Sequence, residues 1–167
     1  MPTYFVTYAM TATRGGLTDI GAATDSTVWG VNAVGNIFHY TWDAADSINI
    51  PGALKRISAG SRTNVWGVNA AGNIFRYTGD DADPWVQISG ALSDIGAAAD
   101  GTVLGSTPQI FRYTGDQGDP NHWVNISGAL TAISAGNKTN VWGSTAQAIS
   151  SRSRAMIVNP GFRSLAV

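Results

Sequence analysis

The chain contains no cysteine, which excludes disulfides, thiolate metal sites and cysteine nucleophiles. Histidine is nearly as scarce. His39 and His122 are the two present, and neither belongs to a nucleophile–base–orienter pattern. G-x-S-x-G and H-E-x-x-H are both missing, so catalysis is not expected, and neither a cofactor nor a metal is. Charged residues make up 13% and the net charge is −1, which leaves no basic field to draw a nucleic-acid backbone. No stretch approaches the ~20 apolar residues of a membrane-spanning helix, so membrane insertion is not expected either. Met1–Gly16 lacks a basic start, its first Arg or Lys being Arg14, and Thr and Tyr interrupt its apolar residues. That is a poor secretory signal and points to a cytoplasmic protein. The sequons at Asn125 and Asn137 matter only after release by a non-classical route.

What the chain does have is glycine, apolar residues and self-similarity. Twenty glycines and 44% apolar residues in 167 suit one globular domain of many short strands. One unit begins at Leu17, the next at Leu54, a third at Leu92 and a fourth at Leu130, spaced by 37, 38 and 38 residues. Trp29, Trp66, Leu104 and Trp142 recur at the same intervals, as do Tyr40, Tyr77 and Tyr113 apart from one short deletion. The boundaries are therefore 17–53, 54–91, 92–129 and a partial unit 130–143, flanked by 1–16 and a divergent tail 144–167. Looking within a unit, the hydrophobic period is near two, the mark of strands.

In the second unit four strands are expected, over Leu54–Ala59, Asn64–Asn69, Asn73–Thr78 and Trp85–Ser89. Ala70-Ala71-Gly72-Asn73 reads as a hairpin turn. The third unit shortens that turn by two residues, an even number that keeps strand faces in register. Four meandering strands in about 40 residues, apolar on both faces, describe one blade of a β-propeller. The fold class expected is all-β, a propeller of four-stranded blades forming a partial or small ring.

The recurring elements are G-x-L-x-x-I-x-x-G, T-x-V-W-G-V-N, N-I-F-R-Y-T-G-D and W-V-x-I-S-G-A, running from Gly15 to about Gly143. In this the chain resembles the tectonin-repeat family of lectins. The resemblance implies a propeller, commonly of six blades, binding carbohydrate on or between blades, methylated sugars among the ligands and defence among the roles. Other tectonin-repeat proteins imply a protein–protein interaction scaffold instead.

Three units and a fraction fall short of six blades. The tail Ser144–Val167 drops the pattern and reads either as a truncated or misspliced frame, or as two degenerate strands, Ala155–Asn159 and Phe162–Val167. Tyr4–Thr13 could supply an outer strand and close a four-bladed ring. An incomplete propeller is favoured, and its bare blade edges predict a homo-oligomer.

For glycans as partners, the candidate binding residues are aromatic faces with polar groups beside them. They are Trp85, Trp123, Tyr40, Tyr77, Tyr113, Arg76, Arg112, Asp80, Asp116, Asn32 and Asn69. Each has a plainer reading. Arg76 and Arg112 could pair with Asp80 and Asp116. Asn32 and Asn69 could cap turns, and the Asp pairs Asp43/Asp46, Asp80/Asp83 and Asp116/Asp119 suit Asx-turns better than calcium. Trp29, Trp66 and Trp142 are expected in the core, and the glycine after each is compatible with close approach of a chain or ligand.

Overall fold

The computed structural model describes residues 16–40, 47–115, 122–145 and 156–157. It is all-β. The first blade is β1 (Leu17–Ala22), β2 (Val28–Asn32), β3 (Ile37–Tyr40) and β4 (Ser47–Ile50), paired antiparallel in that order. The second is β5 (Arg56–Ser61), β6 (Asn64–Val68), β7 (Asn73–Tyr77) and β8 (Trp85–Ala91), and the third β9 (Asp94–Ala97), β10 (Val103–Ser106), β11 (Gln109–Tyr113) and β12 (Trp123–Ala129). A fourth sheet has three strands among the described residues: β13 (Ala132–Asn137), β14 (Asn140–Ser144) and β15 (Met156–Ile157). The tail thus gives a short strand on Trp142 and Gly143. Tyr4–Thr13 and Phe162–Val167 lie outside the described residues.

No blade has a core of its own. The first strand of each blade faces the first strand of the next, and apolar side chains are buried in the seams between. The first seam joins Trp29, Val31, Ile37 and Ile50 to Leu54, Ile57, Ala59, Val65 and Tyr77. The second joins Trp66, Val68, Ile74 and Ile88 to Leu92, Ile95, Ala97 and Val103. In the third, Leu104 and Ile110 meet Leu130, Ile133 and Val141. This is why both faces of a strand read as apolar: one face serves each neighbour.

The glycine of each V-W-G, and Gly105 of the equivalent V-L-G, has a local cause. A Cβ there would fall between 2.2 and 2.7 Å from the leucine that opens the same unit, Leu17, Leu54, Leu92 or Leu130. That leucine lies flat across the second strand and needs the missing side chain. The space belongs to the unit's own leucine, which corrects the expectation of a neighbouring chain or ligand there. A second correction concerns Trp142, which is exposed where Trp29 and Trp66 are fully buried; among the described residues no following blade lies on it.

The third seam carries a polar defect. Ser106 stands where Val31 and Val68 stand in the first two blades, it is fully buried, and its hydroxyl has no hydrogen-bond partner. A buried unpaired hydroxyl costs about 1–3 kcal/mol. Ser106→Val is expected to raise unfolding stability by about 1–2 kcal/mol in urea denaturation.

Charge also crosses the seams. Asp100 accepts the backbone N–H of Lys138 at 2.8 Å, and this bond holds its carboxyl below the ordinary value of 3.8. A group whose folded pKa is depressed stabilises the fold above its unfolded value and loses that contribution as pH falls through the folded value. Asp100→Asn should therefore cost at most about 1 kcal/mol at pH 7, given the exposure of the site. Measured against the parent chain, that cost should shrink once pH drops below about 4.

Candidate binding site

The sequence candidates fall into two places: the aromatic seams, and a groove at the turns. In the first seam Tyr77 meets Trp29 edge-on at 4.8 Å, and Trp85 meets Trp29 at 5.9 Å and Tyr77 at 5.7 Å. His39 stacks flat on Trp29 at 4.2 Å. Burial pushes the His39 pKa down against the opposing pull of Asp81. The Tyr77 hydroxyl donates to Asp81, and burial, then this bond, pushes its pKa up. The second seam repeats the arrangement. Tyr113 meets Trp66 at 4.8 Å, Trp123 lies 5.2 Å from Tyr113, and the Arg76 guanidinium sits 5.9 Å over the Trp66 ring.

Trp85 and Trp123 are half-buried, and their indole N–H groups are engaged. Trp85 Nε1 donates to Pro51 O at 2.9 Å and Trp123 Nε1 to Ser89 O at 3.0 Å, each reaching back to the preceding blade. The corner they seat on is turned by Gly52 and Gly90, with φ of 124° and 122°. A Cβ on either glycine would sit about 3 Å from the tryptophan nitrogen. The motif W-V-x-I-S-G-A is thus both halves of one contact: its tryptophan clamps the corner behind, and its S-G-A offers a corner to the blade ahead.

Arg76 is not held by Asp80; the ion pairs among the described residues are Arg56–Asp94 at 3.6 Å and Arg62–Asp25 at 4.0 Å. Asp80 is exposed and accepts the N–H of Ala82 at 2.9 Å, an Asx-turn. Arg112 is exposed, opposite Leu104 across the sheet, and Tyr40 is half-buried opposite Val28. Asp116 lies outside the described residues, with Asp43, Asp46 and Asp119. No cluster of three or more histidine or carboxylate side chains able to hold a metal ion occurs among the described residues.

Asn32 and Asn69 come together on a groove of about 710 Å³ between the first two blades. The Asn32 side-chain oxygen accepts the N–H groups of Val34 and Asn36 at 3.2 and 2.9 Å. Asn69 does the same for Ala71 and Asn73 at 3.0 and 2.9 Å. Both oxygens are committed to shaping their turns. The lining is apolar at Ala33, Val34, Ala53, Leu54, Ala70 and Ala71, of which only Leu54 is buried, and its charged groups are Lys55 and Arg56. The sequence reading missed this pair. Its signal was available: Lys55-Arg56 are the chain's adjacent basic residues, where the third unit has Ser93-Asp94. The groove therefore offers donors beside apolar side chains, a setting for a ligand rich in oxygen acceptors.

Comparison with known proteins agrees with this architecture. The tectonin domain model matches residues 7–160. No curated protein matches the chain. Among solved structures, the crystal structure of RRP9 WD40 repeats superposes with a TM-score of 0.62 at 10% identity, over 81% of this chain and 46% of that one. The structure of U3-55K gives 0.67 at 11%, over 93% and 53%. The computationally designed Ika4 protein gives 0.60 at 11%, over 90% and 95%. At such identities the likeness is one of fold, a propeller, and the chain spans about half the length of the first two. With the repeats in sequence, the blades in space and a family model over nearly the whole chain, the protein belongs to the tectonin family.

Proposed function

We propose that the chain is a non-catalytic carbohydrate-binding propeller that holds a glycan in the groove between its first and second blades. The groove is the observation that carries this reading. Its volume lies within the ~300–1,000 Å³ of small-molecule sites. Its apolar lining suits the C–H face of a sugar ring, and Lys55, with Arg56 beside its partner Asp94, can donate to hydroxyl or carboxylate oxygens. Each sugar hydroxyl bond replaces one to water of similar worth, so a single groove binds weakly. The seam aromatics Trp85 and Trp123 serve the fold in this reading, since their rings and N–H groups already have partners.

The outer strands support a second reading, a protein-interaction scaffold. Ile48, Val86 and Val124 occupy one equivalent position on β4, β8 and β12 and are all exposed, a repeated apolar edge that an extended peptide could line.

A glycan array including methylated and acidic sugars separates the two. The lectin reading expects at least one hit whose affinity falls at least about tenfold in Val34→Arg and in Lys55→Ala, with unchanged melting. Trp85→Ala and Trp123→Ala should each instead cost about 3 kcal/mol of stability. An empty array, or a hit indifferent to Val34→Arg, removes the groove as a glycan site and leaves the scaffold.

A further inference from the structure

The open ends of the arc match each other in the same way as a seam already formed inside it. Repeat heads alternate between two types. Units one and three read Asp-Ile-Gly-Ala-Ala-x-Asp, from Asp19 and from Asp94. Units two and four read Ile-Ser-Ala-Gly-x-x-Thr-Asn, from Ile57 and from Ile133. Where the first type precedes the second, aspartates accept backbone N–H groups of the next blade. Asp19 takes Ile57 and Asp25 takes Arg62, both at 2.8 Å; Asp94 takes Ile133 at 2.7 Å and Asp100 takes Lys138 at 2.8 Å. Where the second type precedes the first, neutral side chains make the backbone crossings, beside an Arg56–Asp94 ion pair that unit four, with Ala132 in place of Arg56, does not repeat. Ser58 Oγ accepts Ala97 N–H at 2.9 Å and Asn64 Nδ2 donates to Ala98 O at 2.7 Å. Gly60 lies so close to Ala98 that a Cβ would fall 2.1 Å from its carbonyl oxygen.

Among the described residues, the last blade is the fourth, and its trailing face is of the second type. Ser134, Gly136, Asn140 and Trp142 stand where Ser58, Gly60, Asn64 and Trp66 stand. Asn140 is already set as Asn64 is, its Oδ1 taking the indole N–H of Trp142 at 2.6 Å as Asn64 takes that of Trp66 at 2.8 Å. The first blade begins the arc with a face of the first type, Ile20, Ala22 and Ala23 standing where Ile95, Ala97 and Ala98 stand. Both faces are bare. Ile20 is 54% exposed, against 3% for Ile57, 3% for Ile95 and 6% for Ile133; Trp142 is 43% exposed, against 1% for Trp29 and Trp66.

We propose that the trailing face of the fourth blade binds the leading face of the first blade of a second copy of this chain, through the seam chemistry seen between blades two and three. Asn140 then reaches the Ala23 carbonyl, Ser134 takes the Ala22 N–H, and Tyr40, which is equivalent to Tyr113, covers Trp142 as Tyr113 covers Trp66. One copy does not seal itself, since Ile20 and Trp142 both face solvent. Propeller rings carry about four to eight blades, so two copies of four close a ring and three would overfill it.

The test is the mass of the 167-residue chain in solution by light scattering, from about 1 to about 100 μM, where mass action favours association. A two-copy mass is expected. Ile20→Arg and Trp142→Arg each spoil one face, and each alone should weaken the dimer at least about tenfold while circular dichroism stays that of the parent. Mixing the two variants leaves one intact seam between unlike copies, so a two-copy species should return. A monomer across the range, a dimer that survives Ile20→Arg, or a mixture that stays monomeric would each overturn the proposal.

Discussion

Everything in this fold depends on burial between sheets. A blade is one layer thick, and its apolar side chains are covered only when the next blade lies on them. The three cores each draw residues from two neighbours. A single four-stranded sheet of this kind has little to bury alone, so stability is carried by nearest-neighbour contacts along the array. The first two seams are the fullest, because a tryptophan on the second strand takes a tyrosine and a second tryptophan from the blade ahead. In the third seam Leu104 replaces the tryptophan and Ser106 replaces a valine.

Polar chemistry gives each seam its direction. Aspartates reaching forward to backbone N–H groups alternate with a serine and an asparagine that make the same kind of crossing with neutral groups. The seam of Ser58 and Asn64 also carries the Arg56–Asp94 ion pair and has the closest backbone approach, at Gly60. Asp94 is the most enclosed of the forward-reaching carboxylates. Its desolvation raises its pKa, while the Ile133 N–H and Arg56 act in the opposite sense. The structural unit of this chain is thus a pair of repeats, with two kinds of joint.

Much of this was legible in the sequence, for physical reasons. The period of two, the turn at Ala70–Asn73 and the burial of Trp29 and Trp66 are properties of a strand and its pleat, and a single unit carries them. The turn role of Asn32 and Asn69 was legible too, since it is local. What a unit cannot reveal is its neighbour. What one unit hides in Trp85 and Trp123 is the partner of each indole N–H, because the carbonyls of Pro51 and Ser89, 34 residues upstream, lie on another blade. The V-W-G glycine suggested a visitor, but the visitor is the unit's own leucine. Lys55 and Arg56 went unnoticed because a pattern shared by all repeats leaves out what only one repeat has.

Native-state hydrogen exchange tests the central claim most directly, because it reads single amides. The N–H groups of Ile57, Ala97 and Ile133 donate across seams to Asp19, Ser58 and Asp94. If stability resides between blades, these amides exchange as slowly as those inside the central strands, and all open together in one cooperative event. Rapid exchange at these three positions, with the strands of each sheet still protected, would mean that blades hold themselves together and the seams contribute little.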